Sequence, residues 1–306
     1  MRRVLGVVGR VFVTVGLLIL LFVAYQLWGT GFVEARAQDD LRREFEADLE
    51  AGTPQTSSTS GGADETGTST STTTTTTTTV PVPIPPDGEP VAIVRIPKIG
   101  LDKVVVEGTT VADLRKGPGH YAGTPLPGQL GNAGIAGHRT TYGAPFHNLD
   151  QLIVGDTISV ETLAGTFDYV VSEPPFAVKP NQTEVLANET PEAPTLTLTT
   201  CNPKYSAAER LVVKAELDLR ANQPQPQAPT IPTRPVASID GGLSGEHSSR
   251  VPTVVWGAIV AAVGLLWWLV FHRYRRWTTW IVGVIPFLVV LAIFFFYLER
   301  ILPSNY

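Results

Sequence analysis

The sequence predicts a mainly β domain, either a barrel or a sandwich, joined to three membrane-spanning helices. Two observations carry this prediction. Short β-branched segments separated by Gly and Pro fill the middle of the chain, and long uncharged apolar segments occur only near its two ends. The chain has 306 residues, of which 43% are hydrophobic and 17% charged. Because an average soluble domain carries about 25% charged residues, this composition argues against a fully soluble globule.

The first apolar segment, Val4–Trp28, contains a single charged residue, Arg10. A helix rises about 1.5 Å per residue and a bilayer core is about 30 Å thick, so this segment comes close to spanning a membrane. Arg2 and Arg3 precede it and favour a cytoplasmic N-terminus. A cleaved signal peptide is the alternative, with its cleavage motif at Ala35–Ala37. That motif lies well beyond the apolar segment, which itself exceeds the usual length of about 7–15 residues.

Two further apolar segments, Val254–Phe271 and Trp280–Leu298, are each long enough to cross a bilayer. The short loop between them contains three arginines, which favour a cytoplasmic position. The basic N-terminus and this basic loop agree on one topology, a multi-pass protein of the cell membrane whose central region is extracytoplasmic. A buried helical hairpin of a soluble domain is the alternative, but the second segment has no polar face to turn toward water.

Changes in composition divide the chain into six parts. They are a cytoplasmic N-terminus and transmembrane anchor (1–33), a charged and then Thr/Pro-rich disordered stalk (34–89), a folded domain (90–220), a Pro/Gln/Gly-rich linker (221–251), a two-helix transmembrane hairpin (252–300) and a short tail (301–306). The stalk includes eight consecutive threonines at 72–79. Such a segment cannot bury a core. Its charged beginning, 34–50, is also compatible with an extension of the first helix.

Within the folded domain, six short segments have the β-branched composition and turn-residue boundaries of strands. They are Val91–Ile96, Lys103–Val106, Thr157–Thr162, Thr166–Ser172, Thr195–Thr200 and Leu211–Leu217. The segment before Cys201 alternates strictly between Thr and Leu, as a half-buried strand does. Short helices are predicted at Val111–Lys116 and Phe146–Leu152.

Charge and cysteine content exclude several classes of function. A net charge of −5 argues against nucleic-acid binding, which normally requires a basic surface. One cysteine excludes an intramolecular disulfide and any multi-cysteine metal site, and the five histidines have no metal-ligand spacing. We therefore expect neither a cofactor nor a metal. Asp150, Asp156 and Glu161 are interpreted as solvated charges.

Cys201 is the strongest candidate for chemistry. It ends the alternating strand and precedes Asn202-Pro203, a strand terminator, so its side chain is expected at a cleft. A small buried hydrophobe is the structural alternative. Outside the membrane, however, an unpaired thiol is a liability unless the protein uses it. A cysteine nucleophile requires a base and a donor for the oxyanion.

The residues around Cys201 offer candidates for both roles. His138 follows a strand of small residues that leaves space beside its ring, which favours it as the base. His120, in a turn, and His147, on a predicted short helix, remain alternatives. Arg210 begins the strand after Cys201, so antiparallel pairing would place both at one end of the sheet. A surface arginine paired with Glu209 is the other interpretation.

Several of these motifs together resemble the signature of sortases. They are Thr-Leu-Thr-Thr-Cys at 197–201, Arg210 nine positions later, Gly-His-Arg at 137–139 and Ile-Pro-Lys-Ile-Gly-Leu at 96–101. The resemblance implies an eight-stranded β-barrel with short helices. It also implies Cys201 as nucleophile, His138 as general acid/base and Arg210 as the residue that positions the substrate or stabilises the oxyanion. Thr200, Tyr142 and His120 become candidates for substrate contact.

The segments around His138 and Cys201 are similar to the actinobacterial class E sortases. This resemblance implies cleavage of a Leu-Pro/Ala-x-Thr-Gly signal between Thr and Gly, and transfer of the acyl group to an amine of a peptidoglycan precursor. The implied partners are secreted proteins with such a C-terminal signal, the cell-wall amine and the lipid bilayer. The two C-terminal apolar segments are not part of the generic sortase pattern.

Two other functions fit parts of the sequence. An L,D-transpeptidase also orders His before Cys, but it would need a Ser-x-Gly-Cys-like loop, which this chain lacks. A non-enzymatic adhesin or sensor on a stalk would fit the anchor and the stalk equally well. Only the combination of His138, Cys201 and Arg210 discriminates an enzyme from such a protein.

Overall fold

The computed structural model describes residues 2–52, 85–188, 191–222, 250–271 and 277–299. The threonine-rich part of the predicted stalk, most of the predicted linker, the basic loop between the C-terminal apolar segments and the predicted tail lie outside the described residues. The helices are α1 (Arg2–Ala24), α2 (Thr30–Gly52), α3 (Val111–Leu114), α4 (Val251–Phe271) and α5 (Trp277–Glu299). A π-helical stretch, Tyr25–Gly29, joins α1 to α2.

Nine strands form the sheet of the central domain. They are β1 (Pro90–Ile96), β2 (Leu101–Glu107), β3 (Gly119–His120), β4 (Gly131–Ala136), β5 (Thr157–Thr162), β6 (Gly165–Val171), β7 (Phe176–Val178), β8 (Pro194–Asn202) and β9 (Glu209–Leu217). All six β-branched segments predicted as strands are confirmed within one or two residues. The predicted short helices are reduced to α3 and to a 3₁₀ turn at Leu149–Gln151.

Eight of these strands close into a barrel in the order β6-β5-β1-β2-β3-β4-β8-β9, because β9 pairs back with β6. The predicted eight-stranded barrel is thereby confirmed, and the sandwich alternative is wrong. β7 lies beyond β6 along the same edge of β9, so β6 and β7 together occupy one position in the ring. The β2–β3 and β4–β8 pairs are parallel, and the other pairs are antiparallel.

Side chains that alternate along the strands fill the inside of the barrel. On β8, Leu196 and Leu198 are fully buried in the main core cluster with Ile135 of β4 and Val213 of β9. Because successive side chains of a strand point to opposite faces, Thr197, Thr199 and Cys201 point to the outside of the barrel. The alternation predicted from the sequence therefore decides which face of β8 carries the thiol.

Helix α2 packs against the outside of the barrel. Its Leu41 and Phe45 are buried against Ile93, Val104 and Val106, which lie on the outer face of β1 and β2. This outer face is apolar and would otherwise be exposed to water, which is a sufficient reason for the helix to dock there. The interpretation of the charged start of the stalk, 34–50, as an extension of the first helix is confirmed, and α2 continues to Gly52.

One segment among the described residues, Val251–Val270, has the length and hydropathy of a membrane-spanning helix. Phe12–Ala24 and Val284–Leu298 are apolar but shorter than a full span. Helices α4 and α5 contact each other through the stacked rings of Trp256 and Tyr297, 6.1 Å apart. One of the three predicted membrane spans therefore meets these criteria, and the other two stay predictions.

Candidate active site

Three neighbouring strands bring Cys201, Arg210 and His138 to one end of the sheet. Cys201 of β8 is the direct register partner of Arg210 of β9. On the other side, the pairing of β4 with β8 continues past the end of β4, because the Gly137 N–H donates to the Thr199 carbonyl at 3.1 Å. His138 follows immediately. The separation of 63 residues between His138 and Cys201 is thus closed by the parallel β4–β8 pair.

The His138 ring is held by the loop that follows it. The Thr141 hydroxyl and Nδ1 of His138 form a hydrogen bond of 3.2 Å. The ring of Tyr142 lies beside the imidazole with 5.1 Å between centroids. Behind the histidine, a Cβ at Gly137 would come within 2.6 Å of the Phe146 ring, so this position requires glycine. These contacts hold the His138 ring in a defined position, in which the residue is only 6% exposed.

Arg210 is almost completely buried, at 2% exposure. Its Nη1 donates to the carbonyl oxygens of Ala207 and Glu209, at 3.1 and 3.0 Å. The Glu209 carboxylate accepts instead from Lys179 and from the Asn202 amide, each at 3.1 Å. The alternative that Arg210 is a surface arginine is therefore wrong. A buried guanidinium whose donors have fixed directions suits the positioning of a carbonyl oxygen.

Arg139, which was not among the residues predicted for the site, also contacts Cys201. Its Nη1 donates to the Cys201 carbonyl at 3.0 Å and to the Asn202 side-chain oxygen at 2.8 Å. Its Nη2 forms an ion pair with Asp150 at 3.2 Å. The Asp150 side chain is 44% exposed, so it is a solvated charge as interpreted, and it also pairs with Arg139. The available sequence signal was the position of Arg139 directly after His138 in the Gly-His-Arg motif.

Burial and charge act in opposite directions on the Cys201 thiol, which is 1% exposed. Burial raises its pKa above the ordinary value of 9.0, more than the charges of Arg210 and Arg139 lower it. The thiol is thus the resting form at neutral pH. Attack by Cys201 requires that its proton be taken by a neighbouring base at the moment of reaction.

We expect the iodoacetamide reaction of Cys201 to accelerate with rising pH, with a midpoint above 9.0, because only the thiolate reacts. Replacing Arg139 by glutamine removes a positive charge that favours the thiolate. In Arg139→Gln, the midpoint of the alkylation profile should therefore move to still higher pH, and the alkylation rate at pH 8 should fall. Alkylation rates measured by mass spectrometry from pH 6 to 10 check both results. A midpoint below 9.0 in the unsubstituted protein would contradict the conclusion that burial raises the pKa of Cys201. Arg95→Gln, on β1, is the matched control and should leave the profile unchanged.

The remaining predicted residues form the framework of the site. Thr200 is fully buried and donates to the Gly137 carbonyl at 2.7 Å, which ties β8 to the end of β4. His147 bonds through Nδ1 to the Arg139 carbonyl at 2.8 Å. Tyr142 is buried beside His138. Thr200 and Tyr142 are as buried as Cys201 and Arg210 and contact Gly137 and His138, and substrate contact by either of them stays a prediction.

His120 is fully buried and belongs to a separate polar cluster. Its Nδ1 bonds to the Glu107 carboxylate at 2.7 Å, and its Nε2 lies 2.9 Å from the Thr124 hydroxyl. Burial opposes a charge on the ring, but the attraction and hydrogen bond of Glu107 outweigh it and raise the pKa of His120 above 6.5. His120 is thus a structural ion-pair partner. The prediction that it contacts substrate, and the alternative that it is the base, are not supported.

We expect Glu107→Gln to lower the free energy of unfolding by about 3–5 kcal/mol, because it leaves a buried imidazole without its ionic partner. The pH dependence has a definite sign. A group whose pKa is raised by folding stabilises the fold below its unfolded pKa, about 6.5, and the stabilisation is lost as pH rises through the folded value. The difference in the free energy of unfolding between the wild type and Glu107→Gln should therefore shrink as the pH rises above the pKa of His120 in the folded protein. Urea unfolding at pH 6 and pH 9 measures this difference. The same difference at both pH values would contradict an ion pair between His120 and Glu107.

No group of three or more His, Cys, Asp or Glu side chains in the described part of the chain is arranged to hold a metal ion. Asp156 and Glu161, the other two acidic residues noted in the sequence, pair with Lys98 at 2.7 Å and Arg95 at 2.8 Å. The described acidic residues of this region therefore serve surface ion pairs.

Known proteins resemble this chain over the same region. The sortase domain family matches residues 94–218. Sortase SrtE2 of Streptomyces coelicolor is 30% identical over 232 residues, which cover 70% of this chain and 82% of SrtE2. Sortase SrtE1 of the same organism is 30% identical over 220 residues, 67% of this chain and 55% of SrtE1. The solved structure of sortase E from Streptomyces avermitilis is 39% identical, with a TM-score of 0.40, and covers 46% of this chain and 97% of that one.

These similarities show that the chain belongs to the sortase family, a family of cysteine transpeptidases. Within the family, its similarity to SrtE1 and SrtE2 places it with the class E type. The match spans about half the length of SrtE1, 55% of that relative.

Proposed function

We propose that this protein is a membrane-anchored sortase that cleaves a Leu-Pro/Ala-x-Thr-Gly signal between Thr and Gly and joins the acyl group to a cell-wall amine. Its substrates are secreted proteins that carry the signal at their C-terminus, and its acceptor is an amine of a peptidoglycan precursor. The observation that carries this proposal is the direct pairing of Cys201 with Arg210 at the end of the sheet where His138 follows β4. The catalytic domain comprises 90–220.

The proposed reaction begins with attack of the Cys201 sulfur on the threonine carbonyl. The buried thiol gives its proton to His138, and the carbonyl oxygen acquires negative charge as the S–C bond forms. Arg210 stabilises this charge, because a guanidinium in a water-excluded site is a strong donor to an oxyanion. The C–N bond to glycine then breaks, and His138 returns the proton to the leaving amine. The product is a thioester between Cys201 and threonine.

The second half of the reaction restores the enzyme. The acceptor amine attacks the thioester carbonyl and gives a proton to His138. The Cys201 sulfur leaves as the amide bond forms, and it recovers a proton from His138. No cofactor enters this scheme. The charges of Arg139 and Arg210 assist the leaving thiolate, since both favour the charged form of the sulfur.

The membrane arrangement is part of the proposal. Three helices cross the membrane, the N-terminus and the basic loop at 272–276 are cytoplasmic, and the barrel and the C-terminus are extracytoplasmic. Helix α2 connects the N-terminal anchor to the barrel, and the linker connects the barrel to the C-terminal hairpin. The apolar Val251–Val270 helix and the three arginines of the loop support this arrangement.

We expect a reporter fused after Tyr306 to lie outside the cytoplasm and a reporter inserted at Arg275 to lie inside it. The physical reason is the retention of short basic loops on the cytoplasmic side. Alkaline phosphatase, active only outside, and a fluorescent protein that matures only in the cytoplasm distinguish the two positions. The reverse pattern, or the same location for both reporters, would contradict the proposed membrane topology.

The decisive test of the proposed function uses the full chain in lipid nanodiscs. The protein is incubated with a Leu-Ala-x-Thr-Gly peptide and triglycine, and the products are identified by mass spectrometry. A peptide that ends at Thr and is joined to triglycine supports the proposal. A Leu-Pro-x-Thr-Gly peptide in parallel determines the preference at the second position.

The two alternatives predict different products. An adhesin or sensor forms no product from either peptide, and its properties do not depend on the thiol. An L,D-transpeptidase forms product only with a peptidoglycan stem peptide. Cleavage of the peptide without transfer to any amine would indicate a protease and would overturn the assignment as a transpeptidase.

A further inference from the structure

The loop after His138 is bound on its far side by the helix that leads in from the N-terminus. The N–H of Tyr142 donates to the Thr30 hydroxyl oxygen of α2 at 3.3 Å. One helical turn further along α2, the Glu34 carboxylate lies directly against Gly143, where an added Cβ would come within 2.4 Å of its Oε2. Thr30 and Glu34 are each only 1% exposed, so both contacts exclude water.

This loop has a backbone conformation that needs external support. Tyr142, Gly143 and Ala144 have φ angles of +48°, +71° and +44°. For residues other than glycine this left-handed region costs about 1–3 kcal/mol each and persists only where the surroundings impose it. The contacts of α2 with Tyr142 and Gly143 are part of those surroundings.

A third contact reaches the same tyrosine from the C-terminal helices. The guanidinium of Arg115 lies 5.6 Å from the Tyr142 ring centroid and 4.3 Å from that of Phe296 on α5. Among the described residues, Nε and Nη2 of Arg115 have no hydrogen-bond partner. The two aromatic rings are therefore the identified contacts of this buried cation, at cation–π distances. Tyr142 thus lies between the active-site histidine and elements from both ends of the chain.

The rest of α2 fixes its position on the barrel independently of the loop. The Gln38 amide donates to the carbonyls of Val104 and Lys116, and its oxygen accepts from the Val104 N–H. Lys103 pairs with Glu34 at 2.6 Å, and Phe45 is fully buried. Because the helix is attached at these several points, Thr30 and Glu34 meet the loop as a fixed surface.

We propose that α2 is a positioning element of the active site, which holds His138 in its reactive orientation through Thr30, Glu34 and Tyr142. This inference rests on the proposed function, because it assigns a purpose to the position of His138. It implies that the helix connecting the barrel to the membrane anchor belongs to the catalytic unit. Thr30, Glu34 and Tyr142 act as positioning residues, since they reach the reaction only through the histidine.

Matched substitutions at Thr30 in the full chain, in nanodiscs, provide the test. Thr30→Val keeps the shape but loses the oxygen that accepts from Tyr142, whereas Thr30→Ser keeps that oxygen. We expect Thr30→Val to lower kcat about tenfold, with KM changed less than about twofold, as for loss of one hydrogen bond that orients a reacting group. Thr30→Ser should retain most of the wild-type kcat. Arg42→Ala, which removes an exposed ion pair of α2 with Asp102, should change neither constant.

A second pair of substitutions tests the Gly143 contact. Gly143→Ala introduces a methyl group against Glu34 and also strains the backbone, and Glu34→Ala creates space for it. Because the backbone strain is the same with either residue at 34, any recovery of kcat in the double variant measures the contact between α2 and the loop. We expect Gly143→Ala to lower kcat and the double variant to recover part of the loss.

Hydrogen exchange of the loop amides gives a readout that needs no substrate. Residues 141–146 should exchange faster in Thr30→Val than in Thr30→Ser or Arg42→Ala. Equal exchange in all three variants, or equal kcat of Thr30→Val and wild type, overturns the inference while the proposed function stands. A wild type that is inactive with every peptide and amine removes the proposed function and, with it, the catalytic purpose of the contact.

Discussion

Replacing Cys201 by alanine is expected to abolish transpeptidation, with a loss of at least about 10⁴-fold, because no other side chain can form the thioester. The fold should survive. Cys201 lies at the end of β8 on the outer face of the barrel, so loss of its sulfur costs on the order of 1 kcal/mol, as for an average point substitution. Mass spectrometry of the peptide product measures the first effect, and thermal unfolding measures the second.

Two further variants make the Cys201 result specific. Cys201→Ser keeps a side chain of similar size and should also be inactive, because a hydroxyl is a much weaker nucleophile unless it is activated. Thr195→Ala lies on the same face of β8, six residues earlier, and should retain activity. If the alanine variant still forms the amide product at a comparable rate, the nucleophile lies elsewhere and the proposed site is wrong.

Arg210→Lys is expected to lower kcat by about 10²–10³-fold, the usual effect of removing one oxyanion donor. Lysine keeps the positive charge but loses the planar set of donors. The comparison therefore separates the effect of directed hydrogen bonds from the effect of the charge. The effect should fall on kcat, because the negative charge on the oxygen exists only in the transition state. Steady-state kinetics with the Leu-Ala-x-Thr-Gly peptide measure it.

The structure also defines the control for Arg210. Its Nη1 holds the carbonyls of Ala207 and Glu209, so a lysine variant can disturb the loop between β8 and β9 as well as the oxyanion. Thermal unfolding of Arg210→Lys distinguishes a misfolded loop from lost catalysis, and Arg95→Lys on β1 serves as a matched arginine outside the site. Unchanged kcat in Arg210→Lys, with normal unfolding, would remove Arg210 from the catalytic set and leave a Cys–His pair. A change confined to KM would indicate ground-state substrate binding instead.

Local pattern was sufficient to predict the strand that carries Cys201 and its neighbour. The alternation before Cys201 and the short loop to Arg210 define a β-hairpin, and antiparallel pairing within a hairpin places both residues at one end. His138 is remote in sequence, and its selection over His120 and His147 depended on the motif around it. In the structure His120 bonds to Glu107 and His147 to a backbone carbonyl, whereas His138 follows the strand that pairs with β8, and its role as the base stays a prediction.

Contacts between distant segments were beyond the reach of the sequence pattern. Arg139 binds the carbonyl of Cys201, 62 residues away, and its place in the Gly-His-Arg motif does not by itself specify that partner. Glu107 and His120 meet because β2 and β3 pair in parallel, and a two-residue strand such as β3 has no periodicity to detect. Thr200 and Tyr142 were associated with the substrate by motif, and their contacts with Gly137 and His138 are seen only in the structure.

The sequence by itself determined the apolar ends, the β-rich middle, the six main strands and the thiol at the end of β8, because each depends on the composition or periodicity of a continuous segment. Only the tertiary structure decided that 34–52 is a helix docked on the barrel. The composition of 34–50 was compatible with a helix but did not specify its docking, which depends on contact of its few apolar side chains with the outer face of β1 and β2. The same docking brings Thr30 to Tyr142, 112 residues away in the chain. Such a contact depends on where two surfaces meet, and no property of either segment alone specifies that.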